Sequence, residues 1–305
     1  MSVGWIFNLD AERELADLRR GRSAEPAPLG PAARQAQALL RRPAAAGGWL
    51  SEGDLVLDPR QAPRGAPEGL TEALAWCPTP RARAAAEAAG LRLDGPSVGA
   101  LTRANARETF ADLDPLPGAE VVDSLAALRR CVERPAPGRS GSGRSPRPAW
   151  LLRRSLCCAG GGRLLAPAWD RRAGAWAEAA LEEGPIEVQP VVDVVEEFSV
   201  HGRVDRAGST VLGAPLQWAP RVRQVRSTED ASRLVELGEE VGRRLAALGY
   251  HGPFGADAFR WLDAEARPRL QVGTDVNARY TMHYARGAPG LLRPASPHHE
   301  HLPDG

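Results

Sequence analysis

In this 305-residue chain the polar residues of one late segment recur at strand spacing, and that spacing restricts the fold more than any other feature. Asp275, Asn277 and Arg279 alternate with Val276 and Ala278, so in an extended strand the three polar side chains share one face. The preceding run, 254–262, also reads as extended, and 263–268 reads as the connection of a hairpin. A turn centred near Ala266 places Asp257 directly across from Asp275. Two carboxylates opposite each other on one sheet face repel unless something positive lies between them. A hard cation with oxygen ligands, such as Mg²⁺ carrying phosphates, meets that requirement.

Composition excludes several classes of chemistry. With 43% hydrophobic and 25% charged residues, the chain is globular and long enough for two or three subdomains around a real core. A formal net charge of +1 gives no field of one sign for nucleic acid or an anionic membrane, so neither is expected as a partner. Cys77, Cys131, Cys157 and Cys158 lack metal-site spacing and read as reduced, buried thiols. The first ten residues carry no basic region followed by an apolar stretch, and no run approaches about 18 apolar residues. A soluble, cytoplasmic protein is the expectation. There is no lysine, and all 39 basic residues are arginine. Schiff-base catalysis and a P-loop lysine are thereby ruled out.

Along the chain, residues 1–113 alternate short apolar runs with helical stretches, which predicts a small α/β domain with a mainly parallel sheet. Asp10 is placed to cap a helix running to Arg20, 55–57 and 74–76 read as strands, and Thr79 opens a helix over 80–89. A further helix over 98–113 would put Arg103, Arg107 and Phe110 on one face, with the charged residues at the surface. Residues 114–148 read as a connector, ending in a Pro/Gly/Ser/Arg-rich mobile loop at 135–148. From Trp150 the pattern is strand, glycine loop, strand, helix, strand, and 227–248 is an amphipathic helix capped by Ser227 and stopped by Gly249. His298, His299 and His301 read as a frayed polar tail.

Carboxylate, hairpin, then acid-x-Asn-x-Arg resembles the carboxy-terminal metal site of the ATP-grasp ligases, and the order of elements extends that resemblance over about 149–282. It implies an ATP-grasp fold with an amino-terminal α/β domain (1–113), a lid subdomain (149–195) and a carboxy-terminal antiparallel-sheet subdomain (196–305). The implied metal ligands are Asp257, Asp275 and Asn277, holding Mg²⁺ against the ATP phosphates, with Arg279 as the catalytic anion clamp. The second acid is usually Glu in that family, and Asp275 is one methylene shorter. A phosphate-gripping Lys is also usual, and Arg153 or Arg154 stands in its place; adjacent residues face opposite ways, and motif position favours Arg153. Gly160, Gly161 and Gly162 would approach the phosphates, Gln189 and Val191 would read the adenine edge, and Glu197, with Glu196 as competitor, would hold the ribose.

The implied activity is an ADP-forming carboxylate-amine (or carboxylate-thiol) ligase that works through an acyl phosphate. His283 and Tyr280 are candidates for handling the amine proton. Its partners would be ATP, Mg²⁺, a small-molecule carboxylate and an amine, and a homodimer is compatible with the resemblance. The same architecture also supports a small-molecule kinase or a non-catalytic nucleotide-binding protein.

Overall fold

Three successive stretches of the chain each build their own sheet. A computed structural model describes residues 2–23, 28–43, 48–59, 65–136, 149–157, 162–219 and 222–293. Gly160, Gly161, Cys158, the histidine tail and most of the 135–148 loop lie outside the described residues.

The first stretch runs β1 (Gly4–Ile6), α1 (Ala11–Arg19), α2 (Pro31–Leu40), β2 (Leu55–Leu57), β3 (Glu72–Ala75), α3 (Pro80–Ala88), β4 (Arg92–Leu93) and α4 (Val98–Asn105). Its strands form a parallel sheet in the order β2-β1-β3-β4, as the alternation of strand and helix predicts. The Thr79 side chain accepts from the Ala82 N–H and Pro80 opens α3, where its missing N–H costs nothing. Asp10 stands at the N-cap of α1 but makes no side-chain cap bond. The helix expected over 98–113 stops at Asn105, because Ala106 turns extended (ψ 126) and only a 3-10 turn, Arg107–Thr109, follows. Arg103 and Arg107 therefore part company. Arg103 reaches the Leu248 carbonyl at the surface, while Arg107 turns inward.

The second stretch holds β5 (Glu120–Val122), α5 (Leu125–Glu133), β6 (Trp150–Arg154), β7 (Arg163–Ala166), α6 (Arg171–Leu181) and β8 (Ile186–Pro190). These strands form an antiparallel sheet in the order β5-β8-β6-β7. Here the connector expectation for 114–148 fails in part. Val122, Leu128 and Val132 share one buried cluster with Trp150, Leu152 and Val188, so β5 and α5 are structural members of this unit. A three-residue strand and a nine-residue helix gave too short a pattern to pair across the intervening loop.

The third stretch comprises β9 (Asp193–Val204), β10 (Thr210–Leu212), β11 (Leu216–Ala219), β12 (Arg223–Gln224), α7 (Thr228–Ala247), β13 (Gly252–Leu262), β14 (Pro268–Asn277) and α8 (Tyr284–Gly287). The sheet runs β12-β11-β9-β13-β14, with β10 paired to β9. α7 covers one face with Leu234, Leu237, Val241 and Leu245, all buried. Each such leucine or valine contributes about 1.5–3 kcal/mol relative to exposure. The opposite face is left to carry the polar residues. Trp5 and Trp49 of the first stretch meet Tyr280 edge-to-face at 5.6 and 5.3 Å, which joins the parallel sheet to the segment after β14.

The hairpin register has a cause the sequence did not reveal. Near the tip Leu262 pairs with Pro268 and Phe259 with Gln271, a register centred on residue 265 that would set Asp257 against Gly273. A bulge over 272–274 then shifts the pairing, so that Asp257 faces Asp275 after all. Gly273 has φ +73, and a Cβ there would lie 2.9 Å from Leu113 Cβ, so both its backbone and its surroundings require glycine. The bulge is clasped from outside by Asp114, whose carbonyl accepts from the Gln271 side chain and whose Oδ2 accepts from the Val272 N–H at 3.0 Å.

Candidate active site

Because side chains alternate along strands, the polar face of the third sheet is laid out in rows. Asp257, in the middle of β13, has Ser199 beside it on β9 and Asp275 beside it on β14. One step along, Gly255 lies between His201 and Asn277; one step the other way, Phe259 lies next to Glu197. Glu197, Ser199, His201, Asp257, Asp275 and Asn277 thus share a face. A Cβ at Gly255 would come within 2.8 Å of Thr281 Cγ2, so the glycine lets the chain after β14 fold back over this row.

The two acids are held unequally. Arg107 grips Asp275 with both terminal nitrogens, Nη1 to Oδ1 at 3.0 Å and Nη2 to Oδ2 at 3.3 Å, and Arg153 adds an ion pair at 3.5 Å. Burial would raise the Asp275 pKa, but the charges of Arg107 and Arg153 outweigh it and hold the carboxyl below its ordinary value. Asp257 has no such partner among the described residues. Burial first, and then the neighbouring Asp275 charge, push its carboxyl well above the usual carboxylate range.

Arg279 is 6% exposed, and each of its three guanidinium nitrogens donates to a neighbour. Its Nε donates to Glu12 of α1, Nη2 donates to Asn277 Oδ1 at 2.7 Å, and Nη1 donates to the Tyr280 carbonyl at 2.9 Å. Its guanidinium also lies 5.4 Å from the centre of the Trp76 ring. The buried Glu12–Arg279 pair ties the parallel domain to the acid row.

Arg153 and Arg154 face opposite ways, as their adjacency requires. Arg153 donates to the Thr274 carbonyl at 2.9 Å and pairs with Glu187 at 3.2 Å, whereas Arg154 pairs with Glu183 and lies over the Trp176 ring. Glu197 borders the cleft, and burial raises its pKa, while Glu196 turns away to Gln217 and Arg260 at 3.0 and 2.7 Å. Gln189 and Val191 border the same cleft, but the Val191 N–H donates to the Ala149 carbonyl at 2.9 Å. That donor is committed to the sheet, which leaves the Val191 carbonyl as its backbone group for a ligand edge. Strand alternation turns the Gln189 backbone toward β6 as well, so only its side chain remains to serve a ligand. Gly162, with φ +67, packs on Cys157 and is the one described glycine of the expected phosphate loop.

Two cavities meet at the acid pair. One, about 470 Å³, is bordered by Arg107, Arg153, Gln189, Glu197 and Thr274. The other, about 370 Å³, is bordered by Leu9, Trp76, Ser199, Arg279 and Thr281. Asp257, Asp275 and Trp218 line both. Sequence reasoning missed Arg107, Glu12, Glu187 and Ser199. Arg107 falls on the outer face of a continuous helix in the sequence pattern, and Glu12 meets Arg279 across 267 residues with no local signal.

The chain matches no family model and no curated protein. Among solved structures it is similar to N5-carboxyaminoimidazole ribonucleotide synthetase from Thermotoga maritima, at 14% identity over 93% of this chain and 71% of that one, TM-score 0.44. The same enzyme from Thermus thermophilus gives 18% identity, 95% and 78% coverage, and TM-score 0.45. D-alanyl-alanine synthetase A from Vibrio cholerae O1 biovar eltor gives 12% identity, 90% and 88% coverage, and TM-score 0.47. At such scores and identities neither activity nor ligand transfers from those proteins to this chain. Among the described residues no helix is long and apolar enough to cross a membrane.

Proposed function

We propose that this chain is an ATP-grasp-type ligase that uses MgATP to activate a small-molecule carboxylate and condense it with an amine, releasing ADP and phosphate. The observation that carries this reading is the acid pair Asp257/Asp275 on the wall between two cavities, with an arginine-lined space on one side and an aromatic one on the other. Phosphoryl transfer needs that layout: the nucleotide approaches from one side, the acceptor from the other, and the charge is managed where they meet.

The donor set fits Mg²⁺. Asp257, Asp275 and the Asn277 amide oxygen are hard oxygen donors in adjacent rows, and with the Asp257 pKa raised by burial and by the Asp275 charge, a divalent cation would compete with a proton there. Among the described residues no cluster of three or more His, Cys, Asp or Glu side chains could hold a metal alone. The remaining ligands would be phosphate oxygens and water, so the metal belongs with the nucleotide. Bound there, it neutralises phosphoryl charge.

The protein's own part is positional and electrostatic. Arg107 and Arg153 fix the Asp275 carboxylate and line the phosphate side with positive charge, in a chain that has no lysine for the task. Arg279, held rigid by Glu12 and Asn277, offers positive charge at the acceptor side where an acyl phosphate would develop. Glu197 faces the nucleotide side at the position suited to ribose hydroxyls. His283 borders the acceptor cavity, and burial together with Arg286 lowers its pKa, leaving a neutral imidazole able to accept the amine proton.

The test needs no knowledge of the substrate. Titration calorimetry of the whole chain should give tighter ATP binding with Mg²⁺ than with a chelator, and Asp257→Asn and Asp275→Asn should each erase that difference while thermal unfolding stays cooperative. Undiminished Mg²⁺ dependence in both variants would remove the metal site. A phosphorylated rather than condensed product in an ADP-release screen would move the assignment to a kinase.

A further inference from the structure

A third cavity, of about 480 Å³, lies apart from the acid pair, between the parallel sheet and the far end of β9. Leu74 of β3 and Leu93 of β4 border one side of it, and Val204, Val211, Pro253 and Leu291 border the other. Neither Asp257 nor Asp275 lines it, and Ser199, Asn277 and Arg279 do not reach it either. An engineered apolar cavity of about 150 Å³ accepts benzene, and ligand pockets run from about 300 Å³ upward, so one ring with a short chain fits here with room to spare.

Arg203 carries the one half-buried charge of this lining that has no counter-charge among the described residues. Its Nε donates to the Leu291 carbonyl at 3.3 Å, and Nη2 donates to the same carbonyl at 3.2 Å and to the Tyr280 hydroxyl at 2.7 Å. A guanidinium has five N–H groups, so the two on Nη1 are left without an acceptor among the described residues. The other arginines of the lining are each matched by a carboxylate: Arg92 by Glu72, Arg206 by Asp94 and Arg293 by Asp54. Asp205 is exposed on the turn after β9 and accepts from the Ser209 N–H at 2.8 Å.

A cation drawn partly out of water is ordinarily paired, and the neutral oxygens around Arg203 leave its charge unanswered. A single carboxylate would answer it and accept from Nη1 in one contact. A dianion would bring more charge than this one cation balances, and an amine would be repelled. The apolar walls call for an apolar body behind the carboxylate.

We propose that this cavity is a second ligand site, for a monocarboxylate on an apolar body, with the carboxylate on Arg203 Nη1 and the body against Leu74, Leu93 and Leu291. The ligand takes no part in chemistry at the acid pair, and the assignment is independent of the ligase reading.

Titration calorimetry of the whole chain tests it, with 3-phenylpropionate as the probe and 3-phenylpropionamide and acetate as controls for the charge and for the apolar body. The acid should bind at least about tenfold more tightly than either control, because a charge-assisted bond and the apolar contact are both needed. Arg203→Met should erase the preference for the acid over the amide while thermal unfolding stays cooperative. Val211, the β10 register partner of Arg203, is 54% exposed at the rim, so Val211→Trp should overhang the arginine and weaken the acid at least about tenfold without disturbing the core. If Arg203→Met does not fold, Val211→Trp alone decides. No binding of the acid, equal binding of the amide or of acetate, an acid preference that survives in folded Arg203→Met, or undiminished binding in Val211→Trp would each overturn the assignment.

Discussion

Acidification from about pH 7 to about pH 5 is expected to weaken the fold through His201. This residue sits in the middle of β9, 1% exposed, with its ring edge-on to Tyr284 at 5.7 Å and with Nδ1 lacking a hydrogen-bond partner among the described residues. A Cβ at Gly287 would strike that nitrogen, so the backbone closes against the ring. Burial, helped by the nearby His283, pushes the His201 pKa down to about 3. The unfolded chain takes up a proton near the ordinary value of about 6.5, while the folded chain stays neutral. Between those two values the unfolded state binds more protons, so stability falls as pH falls through that window and is insensitive to this group above it. At pH 5 protonation of this group shifts the equilibrium toward the unfolded state by a factor of about 30, or about 2 kcal/mol. Urea unfolding of wild type and His201→Leu at both pH values measures this. The variant should lose about 2 kcal/mol less than wild type between the two conditions, because the other titrating groups are common to both. An equal loss in the two proteins would refute the assignment of a buried neutral imidazole.

Three further outcomes are expected. Gly273→Val forces a β-branched residue to φ +73 against Leu113 and should cost about 1–3 kcal/mol in chemical unfolding; a neutral result would mean the bulge is not held as described. Glu12→Gln strips the counter-charge from a sealed Arg279 and should cost about 3–5 kcal/mol, with partial recovery in the Glu12→Gln/Arg279→Gln double variant, read by the same method. Arg107→Met should raise the Asp275 pKa, followed by carboxyl NMR, and cost about 1–3 kcal/mol, less than for a sealed pair because Arg153 stays on the same carboxylate. An unmoved Asp275 titration would show that Arg153 alone holds it.

The elements most legible in the sequence were those with a local physical signature. The apolar stripe of α7, the Thr79-Pro80 opening of α3 and the alternation along β14 each depend on residues within a turn or two of one another. Even the opposition of Asp257 and Asp275 could be read there, though the simple turn invoked for it gives the right pairing only because a bulge adds two residues to β14. What stayed hidden was set by distant contact. Arg107 leaves its expected helical face because Asn105 ends the helix, its side chain bonding Leu101 and Ala278 on the way to the third sheet. Glu12 is an ordinary helical acid until the fold brings Arg279 to it. The Val191 donor was lost to Ala149, a strand-edge bond that no spacing rule could anticipate.

Because the pairing register changes at 272–274, the outer part of the β13–β14 hairpin is mechanically decoupled from the inner part. Asp257 takes its place from Ser199 on the central strand, and Asp275 from the Leu113–Asp114 clasp on the slack behind it, not from the tip at 263–267. Residues can be added to or trimmed from that tip, or a fluorophore or affinity tag grafted onto it, without carrying a frameshift inward to the carboxylates. The hairpin end is therefore the natural handle by which to immobilise or label this molecule.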